Sequence, residues 1–307
     1  MTALSQAEAP RPGRTGPPVP MLIRTRKGLS AARPALPGPV VLVPTMGALH
    51  DGHRSLLRLA RDVAGPDGSV LVSIFVNPLQ FGPSEDFSRY PRPLEQDLAA
   101  CTEEGVSAVF CPDRLQMYPV EPLVTVDPGP VGRRLEGKSR PGFFDGVLTV
   151  VLKLFQLTSP DVGVFGAKDA QQLALVRQMV LDLDLGVRIE AAPMHRDPDG
   201  LATSSRNVYL SAAERASALA LPRSLHAAAG AVPRGPAAAL GAARAVLEAA
   251  AQESPRVQLD YLALVDPASF TEVAADYRGL AKLVVAAKVG TTRLIDNASL
   301  QFGSGLA

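Results

Sequence analysis

The feature that most constrains the fold of this sequence is a regular alternation, from residue 40 onward, of short apolar runs with segments of helical periodicity. The first run, 40–43, consists of valine and leucine alone, which is typical of a strand buried in a parallel sheet. The alternation predicts an α/β fold built on a doubly wound parallel sheet, whose ligands bind beyond the carboxyl ends of the strands. Further strands are predicted at 70–76, 106–110, 161–165 and 187–192, with intervening helices at 55–63, 93–104 and 146–157.

The sequence changes character after residue 195. Ser211 and Glu214 have the spacing of a capping box that opens a helix, and Pro222 is expected to interrupt that helix. An alanine-rich stretch, 227–251, then predicts one or two further helices. Strands are predicted after it at 257–265, 282–289 and 292–295, which indicates a second, smaller α+β domain.

These patterns divide the chain into three parts. Residues 1–20 are rich in proline, glycine and arginine and are expected to form a disordered tail, because they cannot bury enough apolar surface to become ordered. The doubly wound domain is expected over 21–195 and the smaller α+β domain over 196–307.

Composition excludes several classes of function. With 31 basic and 30 acidic residues the net charge is +1 and no basic stripe is present, so we do not expect a nucleic-acid partner. The sequence contains neither an apolar run long enough for a membrane span nor the apolar core of a secretory signal. Cys101 and Cys111 lie in apolar surroundings and are expected to be reduced. We therefore expect a cytoplasmic protein with small-molecule partners.

The segment 44–53, Pro-Thr-Met-Gly-Ala-Leu-His-Asp-Gly-His, follows the first predicted strand and contains two of the four histidines. His50 and His53 flank the predicted start of a helix, where free backbone N–H groups and the helix dipole attract an anion. Gly47 and Gly52 allow the backbone to come close to such a ligand. A single histidine beside a helix is more often a packed or capping residue, but this pair between glycines favours ligand binding.

Two further segments carry groups that suit phosphate. They are Gly166-Ala167-Lys168-Asp169, after the strand at 161–165, and Thr203-Ser204-Ser205-Arg206. Lysine supplies a compact cation, arginine a planar fork of donors, and serine a hydroxyl group. The sequence has neither a Gly-x-Gly-x-x-Gly fingerprint nor a Gly-x-x-x-x-Gly-Lys loop, so the separated segments would have to bind phosphate together.

Each of these signals also has a purely structural interpretation. Asp169 and Gln172 have the spacing of a capping box, and residues 203–206 resemble an ordinary polar loop. Gln80 could bond only to its own loop, and Asp97, on a predicted helix, is expected to be solvated. No Ser/His/Asp triad and no histidine–carboxylate set with metal-ligand spacing is recognised.

Four segments taken together resemble the pantothenate synthetases. They are 44–53, 73–81 (Ser-Ile-Phe-Val-Asn-Pro-Leu-Gln-Phe), 165–172 (Phe-Gly-Ala-Lys-Asp-Ala-Gln-Gln) and 199–207 (Asp-Gly-Leu-Ala-Thr-Ser-Ser-Arg-Asn). The resemblance extends in order from about Met21 to Asn297, through 90–92, 117–119, 135–137, 140–142 and 293–297.

The resemblance implies a Rossmann-like fold of the nucleotidyltransferase type and an ATP-dependent ligase that joins pantoate to β-alanine. The reaction would pass through a pantoyl adenylate and release pyrophosphate and AMP. The domain over 21–195 would bind ATP and pantoate, the C-terminal domain would be a lid over the ATP site, and the protein would be a homodimer. Mg²⁺ would accompany ATP, with Asp97 as a candidate ligand.

The resemblance also assigns residues to roles. It implies catalytic roles for His50, His53, Lys168 and Arg206, with His53 as the proton donor. An amide offers a donor and an acceptor together, which suits the hydroxyls and carboxylate of pantoate, so Gln80, Gln172 and Asn77 would bind pantoate or β-alanine. The ATP site would comprise Met46, Gly47, His50, His53, Gly166, Lys168, Asp169, Thr203, Ser204, Ser205 and Arg206.

The sequence departs from the family pattern near these residues. Ala167 and Ala170 stand where glutamate and an aromatic residue are usual, Phe143 where histidine is common, and His195 and Thr203 where apolar residues are usual. None of these changes removes a phosphate ligand, so we expect altered affinity rather than lost activity. The changes motivate one rival hypothesis, a nucleotide-binding module without catalysis. A second rival is a related nucleotidyltransferase with another acceptor, in which the two glutamines would lack their role.

Overall fold

The computed structural model describes residues 18–82 and 87–303. Of the predicted proline-rich tail over 1–20, all but the last three residues lie outside the described residues. Among the helices described, none combines the length and the apolarity that crossing a membrane requires.

Six parallel strands form the larger sheet, as the alternating pattern predicts. Their bounds are β1 Met21–Ile23, β2 Val40–Thr45, β3 Ser69–Ile74, β4 Ala108–Phe110, β5 Val162–Gly166 and β6 Arg188–Ala192. The spatial order is β1-β4-β3-β2-β5-β6, so β2 is central, and Val41 pairs with Val70 on one side and Val162 on the other. The sequence did not predict β1, because three residues are too few to show a period.

Helices cover both faces of this sheet. Their bounds are α1 Arg26–Ala32, α2 Asp51–Ala64, α3 Leu94–Glu103, α4 Arg114–Met117, α5 Glu136–Ser139, α6 Phe143–Thr158 and α7 Ala170–Asp182. Successive side chains of a strand point to opposite faces. Val40 and Leu42 accordingly join a core with α6 and α7, whereas Val41 and Val43 join a core with α2 and α3. The two cores confirm the doubly wound fold.

A smaller antiparallel sheet with three helices forms the C-terminal part, as predicted. The bounds are α8 Ala212–Ala218, α9 Ala220–Ala231, α10 Pro236–Ala250, β7 Val257–Val265, β8 Gly279–Val289 and β9 Thr292–Phe302. β8 is central and pairs with both β7 and β9. Leu225, Leu247 and Leu283 belong to a separate hydrophobic core beneath this sheet.

The helices of this part differ from expectation in one respect. Ser211 and Glu214 form the predicted capping box of α8. This helix ends at Leu219, ahead of Pro222, and not at the proline itself. Pro222 lies instead in the first turn of α9, where a missing N–H costs no intrahelical bond. The alanine-rich stretch contributes to two helices, which are separated at Gly235, where φ is 93°.

Candidate active site

The turn between β2 and α2 lies at the carboxyl end of the central strand. Thr45 Oγ1 accepts the N–H of Gly47 at 3.1 Å. Asp97, on α3, accepts the N–H groups of Ala48 and Leu49 at 3.0 and 2.7 Å. Gly47 has a φ of 79°, and a Cβ atom there would lie 2.8 Å from Asp97 Oδ2. The turn is therefore fixed by residues of its own domain, and its geometry requires glycine at position 47.

The structure contradicts the expectation that Asp97 is solvated, whereas its role as a metal ligand stays a prediction. Its side chain is not solvated, because the residue is only 1% exposed. Both carboxylate oxygens accept backbone N–H groups of the turn, and the residue does not line the cavity described below. Burial raises the pKa of this carboxyl, although the two backbone donors act against the rise. Asp97 supports the turn from behind.

His50 and His53 lie at the start of α2, as predicted. His50 is the N-cap residue, His53 lies in the first turn, and the two ring centroids are 4.0 Å apart. The backbone N–H of His50 donates to His53 Nδ1 at 3.3 Å. Because a backbone N–H can only donate, the neutral His53 ring must carry its proton on Nε2.

Both imidazoles are uncharged near neutral pH. Burial lowers the pKa of His50 to about 4 and that of His53 to about 3, and the nearby charge of Lys168 acts in the same direction on both rings. The helix start therefore presents uncharged donors, together with the positive end of the α2 dipole, to an anion.

The loop between β5 and α7 places Lys168 in the same cavity as the two histidines. Asp169 is the N-cap residue of α7, but its side chain makes no capping hydrogen bond, so the alternative of a capping box with Gln172 is wrong. The carbonyl oxygens of Ala167 and Lys168 accept hydrogen bonds at 3.0 and 2.9 Å from the side-chain amide of Asn297, on β9. This loop is thus tied to the C-terminal sheet.

The third predicted segment ends in a short 3-10 turn capped by Ser204, whose Oγ accepts the N–H of Arg206 at 3.3 Å. Just before it, His195 Nδ1 lies 2.9 Å from Thr203 Oγ1, and the Thr203 hydroxyl donates to Asp197 Oδ1 at 2.6 Å. Since Thr203 gives its proton to Asp197, His195 Nδ1 must be the donor to Thr203. Two of the departures from the family pattern therefore form one hydrogen-bonded chain.

A cavity of about 230 Å³ brings the three segments together at the carboxyl ends of β2, β5 and β6. A second cavity of about 550 Å³ adjoins it, shares Lys168 and Arg206 with it, and is bounded by residues of β9. Of the predicted site residues, those that line the first cavity are Met46, His50, His53, Gln80, Gly166, Lys168, Asp169, Gln172, Thr203, Ser204, Ser205 and Arg206. Gly47, Asn77 and Asp97 are not part of its lining.

Asn77 supports the site from outside the cavity. It is 1% exposed, and its Oδ1 accepts the hydroxyl of Tyr118 at 2.9 Å. Its Nδ2 donates to Gln80 Oε1 at 3.1 Å and to the Gly146 carbonyl at 3.0 Å. Because these bonds use both amide hydrogens, Asn77 orients Gln80 and has no hydrogen left to donate to a substrate.

Sequence reasoning missed other residues that line the cavity. Arg140 donates to the Gln80 carbonyl at 3.2 Å, and its guanidinium carbon lies 3.6 Å from the ring centre of Phe143. Tyr90 and several aliphatic residues of α6 also line the space. Arg140 and Tyr90 lie in motifs that carry the resemblance, so that signal was available. The α6 residues gave none, because an apolar cavity wall has the same pattern as a core.

A buried ion pair connects the two parts of the protein beside the cavity. Glu136 is 7% exposed and accepts two hydrogen bonds, at 2.7 and 2.8 Å, from the guanidinium of Arg293 on β9. The hydroxyl of Tyr261, on β7, donates to the same carboxylate at 3.1 Å. No sequence signal indicates this contact, since the partners are far apart along the chain.

Metal ligands of the usual protein types are not clustered in this region. Among residues 18–82 and 87–303, no group of three or more His, Cys, Asp or Glu side chains is placed to bind a metal ion. The cavity instead combines imidazoles, a lysine, an arginine and hydroxyl groups, which are donors that suit phosphate.

The fold and the cavity define an α/β protein with an anion-attracting site at the carboxyl end of a parallel sheet. A family model described as pantoate-beta-alanine ligase matches residues 22–299. The chain belongs to this family of enzymes, as the sequence motifs indicate.

Individual relatives agree with this assignment. The pantothenate synthetase of Thermobifida fusca (strain YX) is 63% identical over 287 residues, which cover 92% of this chain and 96% of the relative. The crystal structure of pantothenate synthetase from Thermus thermophilus has a TM-score of 0.83 and 43% identity, and the match covers 90% of this chain and 98% of that one. A pantoate-beta-alanine ligase from Francisella tularensis, solved in complex with beta-gamma ATP and beta-alanine, has a TM-score of 0.73 and 32% identity, with 91% and 97% covered.

Proposed function

We propose that this chain joins pantoate to β-alanine at the expense of ATP, through a pantoyl adenylate formed in the cavity at the end of β2. One observation carries the proposal: two uncharged imidazoles, Lys168, the 204–206 loop and two glutamine amides surround one space of about 230 Å³. The complex of the Francisella tularensis relative with beta-gamma ATP and beta-alanine supports these two compounds as ligands of this chain.

In the first step, a carboxylate oxygen of pantoate attacks the α-phosphorus of ATP. The bond to the β-phosphate oxygen breaks, and pyrophosphate leaves with the electron pair. Catalysis of such a step depends on positioning and on fixed donors that stabilise charge on the phosphoryl oxygens. His50, His53 and the start of α2 supply uncharged donors, and Lys168 and Arg206 supply positive charge.

We propose a more specific role for His53 than the resemblance implies. With Nδ1 occupied by a backbone N–H, the ring presents Nε2–H, and its pKa of about 3 keeps it neutral. We therefore propose that His53 acts on the phosphates as an uncharged hydrogen-bond donor. An uncharged donor needs no proton transfer during the attack, because the carboxylate nucleophile carries no proton to lose.

In the second step, the unprotonated amine of β-alanine attacks the carbonyl carbon of the adenylate. The bond between that carbon and the AMP oxygen breaks, AMP leaves with the electron pair, and the nitrogen loses a proton to water. The AMP released therefore contains one oxygen atom that came from pantoate.

Gln80 and Gln172 are proposed to bind pantoate. Their amides offer donors and acceptors for two hydroxyls and a carboxylate, and Asn77 fixes the orientation of Gln80. Val147 and Val151, on α6, line the same cavity and provide an apolar surface for the two methyl groups of pantoate.

Mg²⁺ is proposed to enter as the ATP complex. The described residues form no group that would hold the ion alone, so its ligands would be phosphate oxygens and water, which is usual for magnesium at nucleotide sites. Asp97 is given no part in this proposal, because its carboxylate supports the backbone of the turn and does not line the cavity.

The proposed function is tested by pyrophosphate exchange. Purified protein with ATP, Mg²⁺, pantoate and labelled pyrophosphate, but without β-alanine, should incorporate label into ATP, and omission of pantoate should abolish the exchange. Addition of β-alanine should then release AMP and pantothenate in equal amounts. No exchange by well-folded protein would refute the proposal, and exchange without amide formation would indicate a different acceptor.

We also propose that the protein is a cytoplasmic homodimer and that its C-terminal part is a lid over the ATP site. Val120, Leu123 and Val124 are 77%, 96% and 85% exposed, and burial of such neighbouring apolar side chains in an interface would be favourable. Sedimentation equilibrium at micromolar concentration should give the mass of a dimer, and Leu123→Glu should shift it towards the monomer. A monomer at every concentration would contradict the dimer.

A further inference from the structure

Asn297 connects the C-terminal sheet to the loop that carries Lys168. It lies on β9 opposite Val284 of β8, and it is only 6% exposed. Its Nδ2 atom donates to the carbonyl oxygens of both Ala167 and Lys168, at 3.0 and 2.9 Å. An amide nitrogen has two hydrogens, so these two bonds use its whole donor capacity.

The loop has few other fixed points. Position 167 is alanine and supplies no polar side chain, and the Asp169 side chain makes no capping bond at the start of α7. The backbone N–H of Ala167 donates to the Ala192 carbonyl at 2.9 Å, which fixes only the end of the loop nearest β5. At the Lys168 peptide itself, the described side-chain contact is the one from Asn297.

The strand that carries Asn297 is itself well fixed. The neighbouring residue Asp296 is 3% exposed and accepts two hydrogen bonds, at 2.8 and 2.9 Å, from the guanidinium of Arg196. Further along β9, Arg293 binds the buried carboxylate of Glu136. Asn297 is thus presented by a strand that is held to Arg196, at the start of the C-terminal part, and to Glu136 of the first part, so its amide has a defined position relative to the cavity.

We propose that Asn297 is a positioning residue for Lys168, through which the C-terminal sheet sets the place of the catalytic cation. The inference rests on the proposed function, because it requires Lys168 to act on the phosphates. An amide is the group that this position needs: two carbonyl oxygens face it, and a carboxylate there would oppose both of them with lone pairs.

The test is a double-mutant cycle on the rate of pantoate-dependent pyrophosphate exchange, measured as a function of pantoate concentration. Asn297→Ala should lower the rate constant for exchange about tenfold with little change in the KM for pantoate, since small displacements of a catalytic group are costly. Asn297→Asp should lower it further. In a Lys168→Ala background, Asn297→Ala should change the remaining rate less than about twofold, because the group it positions is gone.

Gln301→Ala is the matched control, since Gln301 is an exposed amide on the same strand, and it should leave exchange unchanged. If Asn297→Ala fails to fold, Asn297→Ser, which keeps one donor, replaces it throughout the cycle. Equal losses in the two backgrounds, or no loss in the wild-type background, would overturn the role of Asn297. The proposed function is judged separately, on the wild-type protein and on Gln301→Ala. Both must exchange pyrophosphate for that function to stand, whatever the Asn297 variants do.

Discussion

The two sides of the cavity are supported in different ways. The two-histidine turn is fixed within the first domain, by Thr45 at its start and by Asp97 behind it. The Lys168 loop is fixed by Asn297, which belongs to the C-terminal sheet. The difference shows that the uncharged donors have a position set locally, whereas the cation depends on how the two parts of the protein meet. Changes at the domain contact should therefore affect one side more than the other.

The largest effect is expected from removal of the donors themselves. Lys168→Ala and His53→Ala should each lower pantoate-dependent pyrophosphate exchange by about 100-fold or more, because fixed donors at the reacting phosphate are worth this much. Unfolding in denaturant should remain cooperative. Lys27→Ala, at an exposed lysine of α1, is the control and should exchange normally. Near-normal exchange in either variant would remove that side of the cavity from the mechanism.

The next largest effect is expected at the domain contact. Arg293→Ala leaves the buried Glu136 carboxylate without its bidentate partner and should lower the free energy of unfolding by about 3 kcal/mol. If the position of Lys168 depends on the contact between the two parts, the variant should also lose exchange activity, although the two-histidine turn stays intact. Chemical denaturation and exchange on the same samples measure both. Full activity with reduced stability would show that the Lys168 side does not depend on this contact.

Acid should act mainly on the turn. Burial lowers the pKa of His50 to about 4 and that of His53 to about 3, from 6.5, so between these limits the unfolded chain binds more protons than the folded one. The contribution of the two neutral histidines to the free energy of unfolding is then fully present above pH 6.5. It is lost as the pH falls towards 4, by about 2 kcal/mol or more. His53→Asn should flatten this loss, whereas His226→Asn, at an exposed histidine, should not. Denaturant unfolding at pH 7 and pH 5 gives the loss of free energy of unfolding for the wild type and both variants. An equal loss in all three proteins would contradict the assignment to the turn.

A smaller effect is expected behind the turn. Asp97→Asn replaces one of two acceptors by a donor, which should lower the free energy of unfolding by about 1–2 kcal/mol and slow exchange. The dependence of exchange on Mg²⁺ concentration should stay as in the wild type. Asp62→Asn, at an exposed position of α2, serves as control. A several-fold shift in the Mg²⁺ requirement of Asp97→Asn would restore Asp97 as a metal ligand.

The smallest effect is expected from Thr203→Val, which interrupts the chain from His195 to Asp197 without changing side-chain shape. Loss of about 1 kcal/mol of hydrogen bonding should raise the KM for ATP about fivefold and leave the rate constant nearly unchanged. Thr271→Val, at an exposed threonine of the C-terminal part, should change neither. An equal loss in the rate constant would place this chain in the chemical step.

The fold was predictable where one segment carries its own signal. The strand at 40–45 was evident because consecutive aliphatic residues face two cores. The two-histidine turn was evident because its histidines and its glycines lie in one contiguous segment. Supporting residues were not predictable in the same way. Asn77 follows a strand end just as a substrate ligand would, and sequence alone does not show that both of its amide hydrogens are used inside the protein.

The resemblance includes the segments 135–137 and 293–297, but nothing in the sequence indicated that their side chains meet across the two parts. Asn297 and Arg293 are polar residues on a strand, a pattern that ordinarily indicates a solvated face. Their partners are more than a hundred residues away, so only the packed structure reveals that these side chains are buried against the cavity loops. The cation side of the site was therefore predicted by residue type, through Lys168, but not by what fixes its position.

The most direct test of the proposed chemistry follows the oxygen atoms of pantoate. The enzyme is supplied with ATP, β-alanine and pantoate in which both carboxylate oxygens are ¹⁸O. The AMP formed is then isolated and analysed by mass spectrometry. If a carboxylate oxygen attacks the α-phosphorus, each AMP molecule should gain one ¹⁸O atom, and pantothenate should keep the other in its amide carbonyl. AMP without ¹⁸O would contradict a pantoyl adenylate.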